Sequence, residues 1–184
     1  MSLHDFDPFR LDVTAFAKAA GQLDGVWPLA QFDRLTESAV AEALAPDVGE
    51  VSWSARGESR ATRGGETQVW LHLTAATALA LECQRCLRPV GAAVQVTRSI
   101  LFVHGEDTAA QLDTDSDDDV LALTRSLDLR ELIEDELLLA LPLVPRHEAC
   151  LVPLQAPAAD QVADDPQPKP FAALAGLKRP GPPG

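Results

Sequence analysis

From Val69 to Leu81 the chain reads Val-Trp-Leu-His-Leu-Thr-Ala-Ala-Thr-Ala-Leu-Ala-Leu, and this stretch decides the fold. Its odd-numbered positions are apolar except for Thr77, whereas the even-numbered positions include Trp70, His72 and Thr74. An alternation with a period of two is typical of a β-strand that turns one face toward a core. The stretch therefore predicts a long, half-buried strand.

Two further runs flank this strand and share its period. Val51, Trp53 and Ala55 alternate with polar residues before it, and apolar residues recur from Val94 to Phe102 after it. The predicted turns between and within these runs are short, at Gly57-Glu58, Gly64-Gly65 and Cys83–Pro89. Short turns favour antiparallel pairing, because a parallel crossover needs about a dozen residues or more. We therefore expect an antiparallel sheet, which could curl toward a barrel-like form.

A helix over residues 128–140 is the clearest helical signal. Asp128 is placed as an N-cap with Glu131 three residues later, and Pro142 ends the pattern. The apolar stripe consists of Leu129, Leu132, Ile133, Leu137 and Ala140. We expect it to pack on the sheet, with Glu134, Asp135 and Glu136 on the solvated side. The predicted fold class is therefore α+β, with a packed C-terminal helix and a flexible tail.

Weaker signals fill the rest of the chain. Residues 1–47 look mostly helical, and residues 105–119, with seven acids and no base, are interpreted as a mobile loop. Residues 120–123 could form one more strand. We expect one α+β domain over residues 1–150, followed at 151–184 by a Pro/Ala-rich linker and a C-terminal docking tail. The tail, with Phe171, Lys178 and Arg179, could dock on a partner or fold back on its own domain.

Charge and composition limit the classes of function. The 184 residues carry a formal charge of −13, which repels phosphate backbones at long range and suits solubility or a basic partner. No signal peptide and no membrane span are visible, so we expect a cytoplasmic protein without a membrane partner. Three cysteines argue against a disulfide framework. The chain has no P-loop, dinucleotide-binding fingerprint or serine nucleophile motif, so we predict no enzyme.

Two short-spaced pairs hold four potential metal ligands. Cys83 and Cys86 form a C-x2-C turn between two predicted strands, and His147 and Cys150 follow the helix with the same spacing. Such a Cys3His set suits structural zinc, which makes zinc the candidate cofactor. Two other interpretations stay open: a purely structural or RNA-facing turn, and a redox pair. A redox pair needs a helix N-terminus after its first cysteine, and Pro89 and the strand pattern argue against one.

Four segments, taken in order, resemble the bacterial YceD family. They are residues 81–86 (Leu-Glu-Cys-Gln-Arg-Cys), 131–137 (Glu-Leu-Ile-Glu-Asp-Glu-Leu), 139–145 (Leu-Ala-Leu-Pro-Leu-Val-Pro) and 169–178 (Lys-Pro-Phe-Ala-Ala-Leu-Ala-Gly-Leu-Lys). The resemblance runs from the middle of the chain to its C-terminus. It implies a role in the accumulation of large-subunit ribosomal RNA. Some members of the family carry a second cysteine pair where this chain has His147 and Cys150.

The leading hypothesis is therefore a non-enzymatic ribosome biogenesis factor that promotes synthesis, processing or stability of 23S rRNA. Its partners would be large-subunit rRNA or its precursor, together with ribosomal or assembly proteins. The candidate contacts to RNA or a partner are Arg85, Arg88, Phe171, Lys178 and Arg179. The alternative is an acidic adaptor that binds a basic partner protein and never touches RNA.

Overall fold

The protein is described from a computed structural model, over residues 6–40, 49–62, 64, 67–115 and 119–150. Four α-helices and five β-strands lie in this part of the chain. In chain order they are α1 (Val13–Lys18), β1 (Gln22–Pro28), α2 (Asp33–Ser38), β2 (Glu50–Ala61), β3 (Thr67–Glu82), β4 (Pro89–Val103), α3 (Glu106–Asp115), β5 (Asp119–Ala122) and α4 (Leu129–Leu139). None of the described helices is long and apolar enough to cross a membrane.

The strands form one sheet in sequence order, β1-β2-β3-β4-β5. The first four pair antiparallel, and the long central register joins Ser54 to Thr74 and Thr74 to Thr97. The predicted α+β class and antiparallel meander are confirmed. The described strands form an open sheet with β1 and β5 at its edges, so the barrel-like curl is not realised. The sheet is mixed, because β5 pairs parallel with β4.

One face of the sheet carries the core. The odd residues of β3 and the even residues of β4 turn inward, and Leu71, Leu73 and Ile100 are almost fully buried there. The inner face packs against α1, α2 and α4, which contribute Phe16, Leu35 and Ile133 among other side chains. Burial of one such side chain stabilises the fold by about 1.5–3 kcal/mol.

The outer face is polar along the middle of the sheet. The His72 ring bridges two strands there, with Nδ1 2.9 Å from Ser99 Oγ and Nε2 2.8 Å from Glu58 Oε2. Glu58 also pairs with Arg56 and Arg60. Hydrogen bonds from Arg60 and His72 lower the pKa of Glu58 below its usual value. The network gives the polar side chains of the outer face their hydrogen-bond partners, which agrees with the alternation of polar and apolar residues in β2 and β3.

The N-terminal third departs from the expectation of mostly helix. Residues 22–28 form the edge strand β1, whose Gly25 and Pro28 weaken any strand pattern in the sequence. A Cβ at Gly25 would lie 3.2 Å from the Trp53 ring, so the glycine lets that indole lie against the edge strand. The predicted turn at Gly57-Glu58 is also wrong. Gly57 lies inside β2, where α1 crosses the strand backbone closely.

The acidic segment after β4 is helical, not a mobile loop. Helix α3 lies between β4 and β5 in the chain and supplies the crossover that the parallel strand β5 requires. Ala109 of α3 is buried in a small cluster with Trp70, Leu101 and Val120 on the outer face of the sheet. Because the buried contact of α3 is a single alanine, the sequence shows no apolar stripe there. Its many acidic residues therefore led to the prediction of a loop. The strand expected at residues 120–123 is confirmed as β5.

Helix α4 begins where the sequence predicted. The Asp128 side chain accepts hydrogen bonds from the backbone N–H groups of Arg130 and Glu131. The expected solvated acidic side is wrong for two of its three residues. Glu134 is buried and pairs with Arg34 across to α2, and Glu136 Oε2 lies 2.6 Å from Arg98 Nε on β4. These carboxylates connect α4 to its neighbours instead of facing water.

Candidate metal centre

The turn between β3 and β4 is a tight knuckle, defined here as residues 83–88. The Cys83 N–H donates to the Arg88 carbonyl oxygen at 2.9 Å, and the Leu87 N–H donates to the Cys83 carbonyl oxygen at 2.8 Å. Leu87 has a φ of +57°, a left-handed conformation that glycine adopts more readily. These bonds orient both cysteine side chains to one side, and both are buried.

A second segment, residues 145–150, closes over the knuckle and is called the strap. It follows α4 after Pro142, the residue predicted to stop that helix. The Gln84 N–H donates to the Pro145 carbonyl oxygen at 2.9 Å, which fixes the strap against the knuckle backbone. The contact brings His147 and Cys150 to Cys83 and Cys86, from which they are separated by about 60 residues of sequence.

The four predicted ligands form one cluster. Their ligand atoms all lie within 4.8 Å of one another. Cys83 Sγ lies 3.8 Å from Cys150 Sγ, and Cys86 Sγ lies 3.4 Å from His147 Nδ1. A zinc tetrahedron, with metal–sulfur bonds of about 2.3 Å and metal–nitrogen bonds of about 2.0 Å, has edges of about 3.5–3.8 Å. The donor set and its spacing therefore fit a closed, four-coordinate metal ion.

The tautomer of His147 supports the same assignment. Its Nε2 lies 3.0 Å from the Pro89 carbonyl oxygen, which can only accept a hydrogen bond. Nε2 must therefore carry a proton, and in the neutral ring this leaves the lone pair of Nδ1 directed toward the cysteines. Histidines that bind metals commonly donate their other ring N–H to a backbone carbonyl in this way.

Arg85 lies against the strap. Its Nε lies 3.1 Å from Cys150 Sγ, and its Nη2 donates to the carbonyl oxygens of His147 at 3.2 Å and Glu148 at 3.4 Å. The hydrogen bond with Cys150 raises the pKa of Arg85 above its usual value. The guanidinium therefore places positive charge beside a cluster of sulfur ligands and joins both halves of the cluster.

The thiols of the knuckle have unequal acidity. Burial acts to raise the pKa of Cys83, but backbone hydrogen bonds of His147, Arg85 and Cys86 outweigh it and lower this pKa to about 5. Burial, together with the neighbouring sulfurs, raises the pKa of Cys86. Cys83 therefore ionises more readily than Cys86, and the ionised thiolate is the form that metals bind.

The structure also bears on the redox interpretation. No helix begins after Cys83, because residues 84–88 form a turn and β4 starts at Pro89. The knuckle therefore lacks the helix N-terminus that lowers thiol pKa values in redox C-x2-C pairs.

Two exposed arginines flank the cluster. The guanidinium of Arg88, a predicted contact, makes no hydrogen bond or ion pair with any described residue. The same is true of Arg146, which sequence reasoning missed although it directly precedes the first strap ligand. The other predicted contacts, Phe171, Lys178 and Arg179, lie outside the described residues.

The fold and the cluster define a class of α+β protein in which a cysteine knuckle at the end of a β-hairpin is closed by a C-terminal strap. A family model described as "Large ribosomal RNA subunit accumulation protein YceD" matches residues 71–178, a span that contains both the knuckle and the strap. Over 175 residues the chain is 30% identical to the protein of that name from Haemophilus influenzae. That alignment covers 92% of this chain and 95% of the relative.

The chain belongs to the YceD family, as its four sequence segments predicted. No solved structure matches the chain with statistical significance.

Proposed function

We propose that this protein is a non-enzymatic factor of ribosome biogenesis that promotes the synthesis, processing or stability of 23S rRNA in the cytoplasm. The observation that carries the proposal is the likeness, over 92% of the chain, to a relative named for accumulation of the large ribosomal RNA subunit. A non-enzymatic role agrees with the candidate metal centre. Four protein ligands leave no open position for a substrate or an activated water, unlike catalytic zinc sites.

The metal of this proposal is structural zinc, held by Cys83, Cys86, His147 and Cys150. When bound, zinc would contribute its binding free energy to the folding of the knuckle and strap. The chain's own residues prepare the site. The strand ends position the two knuckle cysteines, Pro89 fixes the ring of His147, and Arg85 offsets the negative charge of three thiolates around a divalent ion.

The contacts with RNA are proposed at two basic segments of the sequence, the knuckle and the C-terminal tail. With a net charge of −13, the chain repels phosphate except where arginines and lysines are concentrated. Arg88 is exposed at the knuckle, and Phe171, Lys178 and Arg179 belong to the apolar and basic C-terminal tail. Because Arg85 donates hydrogen bonds to the strap, we propose that its main role is to support the metal centre and that contact with RNA is a secondary role.

Crosslinking in growing cells tests this function most directly. Ultraviolet crosslinking and purification of the tagged protein should enrich large-subunit rRNA or its precursor over small-subunit rRNA. Depletion of the protein should lower 23S rRNA relative to 16S rRNA. Equal recovery of both RNAs, together with an unchanged ratio after depletion, would contradict the proposal.

The adaptor alternative predicts a different result from the same preparation. The acidic side chains at the start of α3, Glu106 and Asp107, are exposed and could face a basic partner protein. An adaptor would retain ribosomal or assembly proteins after nuclease treatment and would bind purified RNA at no salt concentration. A direct RNA contact instead gives affinity that falls steeply as salt rises.

A further inference from the structure

We infer that Arg88 and Arg146 form one binding surface for RNA phosphates, and that the metal centre assembles this surface by joining the knuckle to the strap. The inference rests on the proposed RNA function and adds to it a second contact residue and a dependence on metal. Arg146 was not predicted from the sequence as a contact residue, and neither arginine is a metal ligand.

One hydrogen bond joins the chain next to Arg88 to the chain next to Arg146. Arg88 precedes Pro89, and Arg146 precedes His147. The His147 Nε2 donates to the Pro89 carbonyl oxygen at 3.0 Å, so the residues that follow the two arginines are in direct contact. Both guanidinium groups are exposed and without hydrogen bonds or ion pairs among the described residues. Their charge is therefore available to a ligand.

The two segments are more positive than the chain as a whole. Residues 83–89 and 145–150 contain three arginines and one acid, Glu148, so they stay positive even after the single negative charge of three thiolates around a divalent ion is counted, within a chain of net charge −13. One of the arginines, Arg85, is occupied by Cys150 and the strap carbonyls. Two arginines are left to face solvent, and an arginine fork suits the paired oxygens of a phosphodiester.

The dependence on metal follows from how few bonds join the two segments. Besides the cluster itself, the described hydrogen bonds that hold the strap to the knuckle and to the adjoining Pro89 are the Gln84–Pro145 backbone bond, the Arg85 bonds and the His147–Pro89 bond. The Sγ atoms of Cys83 and Cys150 lie only 3.8 Å apart. A metal ion bound by two ligands from each segment would crosslink the strap to the knuckle. Without that crosslink only these hydrogen bonds hold the strap in place, and we expect it to separate from the knuckle more readily.

The test measures binding of an in vitro transcribed precursor of large-subunit rRNA by the full-length, zinc-loaded protein over a range of salt concentrations. Arg88→Ala and Arg146→Ala should each weaken binding and lower the slope of log affinity against log salt by about 1. The matched controls are Arg10→Ala and Arg125→Ala, which remove exposed arginines that are also unpaired among the described residues. Neither control should change the slope by a comparable amount.

Removal of zinc gives the second arm of the test. Zinc-depleted protein should bind the RNA with the affinity and slope of the Arg88→Ala, Arg146→Ala double variant, and that double variant should lose nothing further on depletion. Circular dichroism of the depleted protein checks that the sheet remains folded. Arg85→Ala should lower zinc affinity by about 10–100-fold, as the loss of a residue that bonds to a metal ligand commonly does, and saturating zinc should restore its RNA binding.

The outcomes separate this inference from the proposed function. RNA binding that survives both Arg146→Ala and zinc depletion unchanged would overturn the inference and leave the RNA function standing. No RNA binding by the wild-type protein at any salt concentration would overturn both. Binding of an acidic peptide such as polyglutamate in preference to RNA, lost in Arg88→Ala, would overturn the phosphate assignment. If the zinc-depleted protein fails to stay folded, the Arg85→Ala zinc titration still tests the dependence on metal.

Discussion

The Glu134 carboxylate on α4 lies at the N-terminus of α2, where its Oε1 accepts the backbone N–H of Arg34 at 2.8 Å. The same oxygen accepts the N–H of Leu35 at 3.2 Å, and Oε2 lies 2.9 Å from the Arg34 guanidinium. One buried side chain therefore caps a short helix and pairs with an arginine, which it shares with Asp135, whose Oδ1 lies 2.6 Å from Arg34 Nη1. This contact fixes α4 and α2 to each other over the core.

Glu134→Ala should destabilise the fold substantially. Removing one partner of a buried charged pair costs about 3–5 kcal/mol, and because half of the Arg34 side chain is exposed we expect a smaller loss of about 2–3 kcal/mol. Urea unfolding measures the loss. The control is Glu131→Ala on the same helix, an exposed position where the change should stay near 0.5 kcal/mol or below. Equal effects of the two substitutions would contradict the capping role.

Among glycine-to-alanine substitutions in the described strands, Gly57→Ala should lower the stability of the fold the most. The added Cβ would lie 2.8 Å from the backbone of Ala17, so α1 or β2 must move. Overpacking of this kind costs about 1–3 kcal/mol. Gly91→Ala is the matched control, because nothing lies within 4 Å of its added Cβ and the strand gains a residue with less backbone freedom. Thermal unfolding should therefore place the Gly57 variant well below the Gly91 variant. Indistinguishable midpoints would argue against close packing of α1.

Leu87→Gly should stabilise the zinc-loaded knuckle. Leu87 holds a φ of +57° and leaves 58% of its surface exposed, so glycine relieves strain while little burial is lost. The left-handed conformation costs a non-glycine residue about 1–2 kcal/mol of folding free energy. Glycine avoids this cost, but its greater backbone freedom in the unfolded state lowers stability by about 0.5–1 kcal/mol. A net gain of about 0.5–1 kcal/mol should appear in denaturant unfolding. Leu87→Ala keeps the Cβ and should show no such gain. A gain of equal size with alanine would point to the exposed apolar surface instead of the backbone.

The parts of the fold that follow a period could be predicted from the sequence. Residues 69–81 alternate because the sheet has one buried face, and the stripe of α4 repeats because one side of that helix enters the core. The Cys3His cluster was also predicted, since each half is a local spacing pattern. What could not be read is the pairing of charges between distant elements. Nothing near Glu134 in sequence indicates Arg34, which lies 100 residues away.

Short or thinly packed elements were missed for a related reason. Strand β1 contains Gly25 and Pro28, residues that suit an edge strand beside Trp53. The same two residues are uncommon in strands, so no strand pattern is visible in the sequence there. Helix α3 buries only Ala109 among its first residues, so its acidic side chains suggested a loop. Arg146 was not among the predicted contacts because the hydrogen bond of its neighbour His147 with Pro89, the residue after Arg88, becomes visible only when the strap lies on the knuckle.

The central claim is that four side chains from the knuckle and the strap hold one metal ion. Elemental analysis of the full-length protein purified without chelator, combined with X-ray absorption at the zinc edge, tests it most directly. We predict one zinc ion per chain, coordinated by three sulfurs and one nitrogen, and a large loss of zinc in Cys83→Ser. Wild-type protein without zinc, or a Cys83→Ser variant that keeps its full zinc content, would contradict the account.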